Sequence, residues 1–161
     1  MNVGVGGKEG TLRFTSSLGP KDHVVTAPET GGREKTLELP IQTLDSIVGD
    51  RNPTMIKIDV EGFETEIIRG GAKVMKSDSL RAIIIELKGH GAKYGYDESV
   101  LMDRLSGLGF QAFCYSPLDR RIFSSDKDCA RSDNRIYLRD PDWARERVTL
   151  HPGFRFRNRT L

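Results

Sequence analysis

The segment from Met55 to Ile68, MIKIDVEGFETEII, constrains the fold of this chain most strongly. Its first half has β-branched residues at every second position, which predicts a strand, and its second half has the apolar spacing of an amphipathic helix. Gly62 lies at the junction of the two halves. A strand that leads directly into a helix is the repeating unit of α/β folds, so we expect this segment to be part of an α/β sheet.

A second buried strand is predicted over Arg81 to Leu87, RAIIIEL, because its apolar residues are continuous rather than alternating. Asp97 is expected to cap a helix whose inward face carries Leu101, Leu105 and Leu108. Further strands are predicted over Phe110 to Tyr115 and Asn134 to Arg139. The order of elements predicts an α/β fold with a mostly parallel sheet and flanking helices.

The N-terminal region contains a glycine-rich stretch, VGVGGKEG, in which Gly4, Gly6 and Gly10 are spaced as G-x-G-x-x-x-G. A cofactor-binding glycine loop needs a strand before it and a helix after it. Here a strand candidate, Thr11 to Phe14, follows instead. We therefore interpret these glycines as a hairpin turn. Downstream, we expect a strand that ends near Pro40 and a short helix from Leu44 to Val48.

Composition excludes several classes of protein. A chain of 161 residues is long enough for one domain with a real core. With 25 basic and 23 acidic residues, it has no strong overall charge to attract nucleic acid or a membrane surface. No apolar run is long enough to span a bilayer, and the first residues do not resemble a signal peptide. Cys114 and Cys129 fit no metal-binding spacing, so we expect reduced thiols in a cytoplasmic protein.

Acidic residues follow two strands that are predicted to be neighbours. Asp59 and Glu61 stand at the end of the first strand, Glu86 ends the second, and His90 lies in the glycine-flanked loop GHG. In open parallel sheets, ligands bind beyond the carboxyl ends of the strands. Such a group of side chains can transfer protons, bind a hard cation or hold a hydroxyl group. Crowding of the carboxylates is expected to raise a pKa towards the range of a general base.

A simpler interpretation is that these residues form the solvated face of a strand. Lys57, Asp59 and Glu61 alternate with apolar residues, and Lys57 could pair with Asp59 or with a neighbouring carboxylate. The pattern supports this interpretation and a functional site equally. The position of Glu86 at the end of an apolar run favours a functional site. The position of His90 in a glycine-flanked loop favours an ordinary flexible loop histidine.

The segment IKIDVEGFETEIIRGGAKVM, followed by RAIIIEL, resembles the signature of the FkbM-type methyltransferases, which use S-adenosylmethionine. The chain keeps the run from Lys57 to Gly62, then Arg69 and Gly70, then Glu86, and departs by inserting Gly71 before Ala72. The resemblance extends over residues 3 to 139 and includes TLDSI and KEGTLRF upstream of the signature and LGFQAFCY downstream of it.

The resemblance implies a Rossmann-like class I methyltransferase fold over residues 1–150, with residues 151–161 as a basic tail. It also implies S-adenosylmethionine as cofactor and methyl transfer to the hydroxyl group of a sugar, lipid or small molecule. Asp59 would bind the cofactor and line the methyl-transfer pocket together with Glu61. Glu86 and His90 would position or deprotonate the acceptor. These four residues are the catalytic candidates.

Two strands of the family have no counterpart in this sequence: the one before the glycine-rich cofactor turn, and the one that ends in the acid for the ribose hydroxyls. We therefore expect an incomplete domain that lacks the first strands and binds S-adenosylmethionine poorly by itself. The strand with Ile56 and Ile58 would then lie at the edge of its sheet. An exposed edge can recruit a second copy of the chain or a complementing chain.

Two other classes of function stay open. A metal-dependent enzyme could use Asp59, Glu61, Glu86 and His90 as ligands for magnesium, calcium or manganese. Alternatively, the tail FRFRNR interleaves aromatic and basic residues, which can contact RNA in a non-catalytic binding module. Because the rest of the chain is not basic, a solvated tail is the favoured interpretation. A nucleic-acid partner and a membrane partner are therefore not expected.

Overall fold

A computed structural model describes residues 3–17, 19, 22–25, 35–124 and 133–150, together with the backbone alone of 155–156 and 159–160. The strands are β1 (Gly4–Gly6), β2 (Gly10–Thr15), β3 (Val24–Val25), β4 (Thr36–Thr43), β5 (Met55–Ile58), β6 (Ala82–Glu86), β7 (Gln111–Ser116), β8 (Arg121–Phe123), β9 (Asn134–Leu138), β10 (Arg155–Phe156) and β11 (Arg159–Thr160). The helices are α1 (Leu44–Val48), α2 (Glu64–Gly70), α3 (Ala72–Lys76), a 3-10 helix (His90–Tyr94), α4 (Glu98–Gly107) and α5 (Pro141–Leu150).

The larger sheet is mixed, with the strand order β5-β6-β9-β7-β8. Only β5 and β6 pair in parallel, whereas β9 is antiparallel to both β6 and β7, and β8 is antiparallel to β7. The α/β class is confirmed, but the prediction of a mostly parallel sheet is wrong. Helices connect β5 to β6 and β6 to β7, so these strands run in the same direction. β9, the last strand of this sheet along the chain, lies between β6 and β7 and runs in the opposite direction. Local sequence patterns do not reveal this arrangement.

The smaller sheet has the order β1-β4-β2-β3, with β1 parallel to β4 and β2 antiparallel to it. The predicted hairpin is therefore wrong, because β4 lies between the two strands that flank the glycine turn. The strand also continues through Pro40 to Thr43 instead of ending near the proline. Pro40 lies opposite Thr11 of β2, and pairing with β1 begins only at Ile41. The missing proline N–H is tolerated where the strand pairs on one side.

The glycine turn packs against α2 at very short range. A Cβ atom added to Gly70 would overlap the carbonyl oxygen of Gly6, so the close approach of β1 requires a glycine in the helix. α2 ends at Gly70 and α3 begins at Ala72, so the helical segment after β5 is interrupted at the double glycine. This contact brings the glycine turn to the helix that follows β5.

The main core lies between the larger sheet and the helices that follow β5 and β6. Its buried members are Ile58, Ile67, Ile68, Val74, Met75, Leu80, Ile83, Ile85, Leu87, Leu101, Leu105, Phe110 and Tyr137. The helix predicted after Asp97 is confirmed: the Asp97 side chain accepts a hydrogen bond from the Ser99 N–H at 2.8 Å. Leu101 and Leu105 are buried, and Leu108 packs against the same cluster.

A smaller apolar cluster involves α5, a helix that is not among those predicted from the sequence. Its buried residues are Ala82, Phe113, Ile122, Leu138 and Ala144. In the described part of the chain, β5 pairs only with β6 and forms the edge of the sheet, as predicted. Met55 at this edge is 56% exposed. Recruitment of another chain through this edge stays a prediction.

Cys114 on β7 is disulfide-bonded, which contradicts the expectation of reduced thiols. The other cysteine, Cys129, lies outside the described residues. Disulfides persist mainly in oxidising compartments, so this bond argues against the predicted cytoplasmic location. The location stays a prediction. Of the described helices, none is long and apolar enough to cross a membrane. The side chains of the predicted tail, 151–161, are outside the described residues, although β10 and β11 pair with each other in antiparallel fashion.

Candidate active site at the ends of two parallel strands

The register of β5 and β6 brings the acidic residues together. Ile58, the last residue of β5, lies opposite Ile85, so Asp59 follows one strand beside Glu86 at the end of the other. Asp59, Glu61 and Glu86 each offer a carboxylate oxygen, and these oxygens all lie within 4.8 Å of one another. We call these three residues the carboxylate cluster. The structure therefore places them as the sequence predicted, at the carboxyl ends of two adjoining parallel strands.

His90 joins this cluster through Glu61. The His90 Nδ1 atom lies 3.0 Å from Glu61 Oε2. Glu61 has φ +52° and Gly62 has φ +103°, so the turn after β5 contains two successive residues with positive φ. A Cβ atom at Gly62 would lie 2.5 Å from the His90 carbonyl oxygen, which shows how tightly the turn and the His90 loop are packed. His90 is thus held beside the acids.

Each member of the carboxylate cluster has a basic partner. Lys57 Nζ lies 2.5 Å from Asp59 Oδ2, and Lys88 Nζ lies 2.9 Å from Glu86 Oε2, while His90 is the partner of Glu61. The pairing of Lys57 with Asp59 is the one that the solvated-strand interpretation predicted. Asp59 therefore forms the ion pair expected of a solvated strand face and also belongs to the carboxylate cluster.

The hydrogen bond from Lys57 lowers the pKa of Asp59 below its usual value of 3.8, although partial burial opposes this effect. The contact with Glu86 and the charge of Lys88 lower it further. The expectation that crowding raises the pKa is wrong for Asp59, because the lysines outweigh the effect of burial and the neighbouring Glu86 lowers the pKa instead of raising it. Asp59 is therefore ionised at neutral pH and is suited to face a positive charge, not to take up a proton.

Sequence reasoning missed Glu64, the first residue of α2. Its side chain is buried, with 4% of the residue exposed, and its Oε1 atom accepts a hydrogen bond from the Gly62 N–H at 3.0 Å. Burial raises the pKa of Glu64, against the hydrogen bonds from backbone amides. The sequence did contain a signal: Glu64 precedes Ile67 and Ile68 by three and four residues, which places an acid on the apolar face of the helix.

A cavity of about 200 Å³ lies at the same end of the fold. The residues around it are Gly6, Gly7, Lys8, Glu9, Gly10, Thr11, Leu12, Ile41, Phe63, Glu66 and Tyr96. Tyr96 donates a hydrogen bond from its hydroxyl to Glu66 Oε1 at 2.8 Å, and Arg69 Nη1 lies 2.7 Å from the same oxygen. Phe63 directly follows Gly62, so the cavity adjoins the turn that carries the acids. The glycine turn therefore forms a wall of this cavity.

The carboxylate cluster has oxygen ligands suited to a hard divalent cation. Such a cation would have to compete with the ammonium groups of Lys57 and Lys88, which already neutralise two of the three acids. The same negative oxygens can also face a positively charged organic group. Among the described residues, however, the glycine turn leads into β2 and not into a helix, so it lacks the strand–turn–helix form of a cofactor loop.

The methyltransferase FkbM domain matches residues 2–112 of the chain. The match spans the turn after β5 and the end of β6, and so includes every residue of the carboxylate cluster as well as His90. No curated protein and no solved structure gives a significant match. Since the matched segment covers more than half of the 161 residues, the chain belongs to the FkbM methyltransferase domain family.

Proposed function

We propose that the chain takes part in S-adenosylmethionine-dependent methyl transfer to an oxygen, the hydroxyl group of a sugar, a lipid or another small molecule. The observation that carries this proposal is the carboxylate cluster with His90, at the carboxyl ends of β5 and β6 and within the segment that matches a methyltransferase domain. The family supports the reaction and the cofactor, and the cluster supports the assignment of residues.

Asp59 and Glu61 are proposed to line the methyl-transfer pocket. When bound, S-adenosylmethionine supplies a methyl group made electrophilic by the positive sulfonium. The lowered pKa of Asp59 keeps its carboxylate charged, which favours a positive group nearby. We assign Asp59 to the cofactor side of the pocket for this reason. Catalysis would then depend mainly on the proximity and orientation of the two reactants.

Glu86 and His90 are proposed to position the acceptor hydroxyl and to remove its proton. Because Glu61 engages Nδ1 of His90, the second ring nitrogen, Nε2, is the atom that would take the proton. The His90 side chain is 47% exposed, so an acceptor can reach it. Glu86 is more enclosed, with 13% of its side chain exposed, and is suited to hold a hydroxyl group in a fixed orientation.

The test is transfer of a radiolabelled methyl group from S-adenosylmethionine to a panel of hydroxylated sugars, lipids and small molecules. We expect transfer by the unmodified chain, and a fall of about 100-fold or more in turnover for Asp59→Asn and for Glu86→Gln. Turnover that is unchanged in both variants would remove these residues from the chemistry. No transfer to any acceptor class would contradict the proposed activity of this chain.

We further propose that cofactor binding is weak, because no strand–turn–helix loop lies among the described residues. Isothermal titration of the purified chain with S-adenosylmethionine measures this directly. A dissociation constant weaker than about 100 μM is expected, whereas binding near 1 μM would contradict this part of the proposal.

A metal-dependent reaction is the second candidate, because the three acids offer oxygens within 4.8 Å of one another. Titration with MgCl2 and MnCl2, followed by calorimetry, tests it on the unmodified chain and on Asp59→Asn. Saturable binding that is lost in the variant would support a cation site. Methyl transfer that is insensitive to a chelator, with no heat of binding, would exclude it.

A further inference from the structure

The turn that carries Glu61 and the loop that carries His90 are each held by the same kind of hydrogen bond. Glu64 is the first residue of α2, the helix after β5, and its carboxylate accepts a hydrogen bond from the Gly62 N–H at 3.0 Å. Glu98 is the first residue of α4, the helix after β6, and its Oε1 atom accepts a hydrogen bond from the Gly89 N–H at 2.6 Å. In each loop, a helix-start glutamate reaches back to a glycine amide.

Both glycines adjoin residues of the site. Gly62 follows Glu61, and Gly89 precedes His90, so the two hydrogen bonds flank the pair formed by Glu61 Oε2 and His90 Nδ1. Both glycines also have positive φ, +103° for Gly62 and +77° for Gly89. Glycine adopts such angles without strain but is free to adopt many others, so a hydrogen bond to its amide helps to select one backbone conformation.

Neither glutamate belongs to the carboxylate cluster, since each carboxylate is directed to a backbone amide instead. Glu64 is almost completely buried, at a cost that only a hydrogen-bonded arrangement offsets. The charge of Glu98 is among the causes that raise the pKa of Glu64, so the two carboxyl groups are electrostatic neighbours. Two acids that repel each other thus lie beside the two turns.

We propose that Glu64 and Glu98 are positioning residues that hold Glu61 and His90 in register for the reaction under "Proposed function", on which this inference rests. Glu64 fixes the turn that presents Glu61, and Glu98 fixes the start of the loop that presents His90. Their effect on chemistry passes through the Glu61–His90 pair, because neither side chain is part of the cluster itself.

The experiment compares Glu64→Leu, Glu98→Leu and the conservative changes Glu64→Gln and Glu98→Gln in the full chain. Amide hydrogen exchange of Gly62 and Gly89 reports each hydrogen bond, and ¹⁵N NMR of the imidazole reports the environment of His90 Nδ1. The His90→Gln variant assigns the His90 signal among the three histidines. Asp103→Asn, which removes a carboxylate from the exposed face of α4, is the matched control.

In the leucine variants, the adjoining glycine amide is expected to exchange at least about fivefold faster, and the His90 Nδ1 signal to shift. The glutamine variants retain an acceptor oxygen, so both readouts should stay close to those of the unmodified chain, as in the control. If Glu64→Leu does not fold, Glu64→Asp serves instead, since its shorter side chain withdraws the acceptor.

Folded leucine variants with unchanged glycine exchange and an unchanged His90 signal would overturn the proposal. So would loss of glycine protection in the glutamine variants, because that result would assign the effect to charge and not to the hydrogen bond. These readouts do not involve methyl transfer. Failure of the proposed function is therefore distinguished from failure of this inference.

Discussion

Glu61 and His90, which are 29 residues apart in sequence, meet with Oε2 and Nδ1 separated by 3.0 Å. This contact joins the turn after β5 to the loop after β6. It engages one nitrogen of the imidazole, so the proposed proton acceptor is the second nitrogen, Nε2. The contact therefore brings side chains from two separate loops together at the candidate site.

The Glu61–His90 pair should matter for the site much more than for folding. Its side chains are 19% and 47% exposed, so solvent screens the interaction. In a double-mutant cycle of Glu61→Gln and His90→Gln, we expect a coupling free energy below about 1 kcal/mol in urea unfolding. Methyl transfer should fall in both single variants and fall little further in the double variant, since the two residues act together. Additive losses in transfer would contradict this coupling.

Gly62→Ala should destabilise the fold strongly. The residue has φ +103°, and its new Cβ would lie 2.5 Å from the His90 carbonyl oxygen, which is backbone and cannot turn aside. We expect the free energy of unfolding, measured in urea, to fall by about 2–4 kcal/mol.

Gly107→Ala is the control for this substitution. Gly107 is the last residue of α4, and a Cβ there would meet no atom within 4 Å. The alanine variant should be as stable as the unmodified chain, or more stable by up to about 1 kcal/mol. If Gly62→Ala were as stable as Gly107→Ala, the clash at Gly62 would have to be relieved by movement of the His90 loop, which would contradict the prediction.

The sequence could predict features that depend on local patterns or on adjacent parallel strands. The capping of α4 by Asp97 follows from residue type and position, and it is present. The convergence of Asp59 and Glu86 follows because the carboxyl ends of neighbouring parallel strands lie at one edge of a sheet, and it is also present.

Features that depend on tertiary packing could not be predicted. β9 lies between β6 and β7, and β4 lies between β1 and β2. Both arrangements are pairings between strands distant in sequence, which local residue patterns do not specify. The low pKa of Asp59 depends on the rotamer that brings Lys57 to it. The hydrogen bonds of Glu64 and Glu98 depend on backbone angles in two turns, which residue type alone does not specify.

Arg139, just after β9, should be one of the most important residues for stability. Its guanidinium group donates hydrogen bonds to the backbone carbonyls of Ser77, Leu80, Met75 and Leu108. It also lies 4.3 Å from the centre of the Phe110 ring. Lysine cannot reproduce a planar group with four such partners, so Arg139→Lys should lower the free energy of unfolding by about 2–4 kcal/mol.

Arg104→Lys, on an exposed position of α4, provides the comparison for Arg139→Lys. A change within about 0.5 kcal/mol is expected there, because an exposed surface side chain contributes little to stability. If both substitutions have the same small effect in urea unfolding, the four carbonyls must find other donors, and the central role of Arg139 would be refuted.

Glu64 gives the fold a specific dependence on pH. Burial, helped by the nearby charge of Glu98, raises its pKa in the folded state above the ordinary value of 4.5. The folded chain therefore binds this proton more tightly than the unfolded chain, and the resulting stability is fully present below pH 4.5. That contribution is lost as the pH rises through the folded-state pKa.

Glu64→Gln cannot ionise, so urea unfolding from acid to neutral pH should show the variant gaining stability relative to the unmodified chain. All other titrating groups are shared and cancel in this difference, so parallel stability curves would mean that the Glu64 carboxylate is compensated by its amide donors.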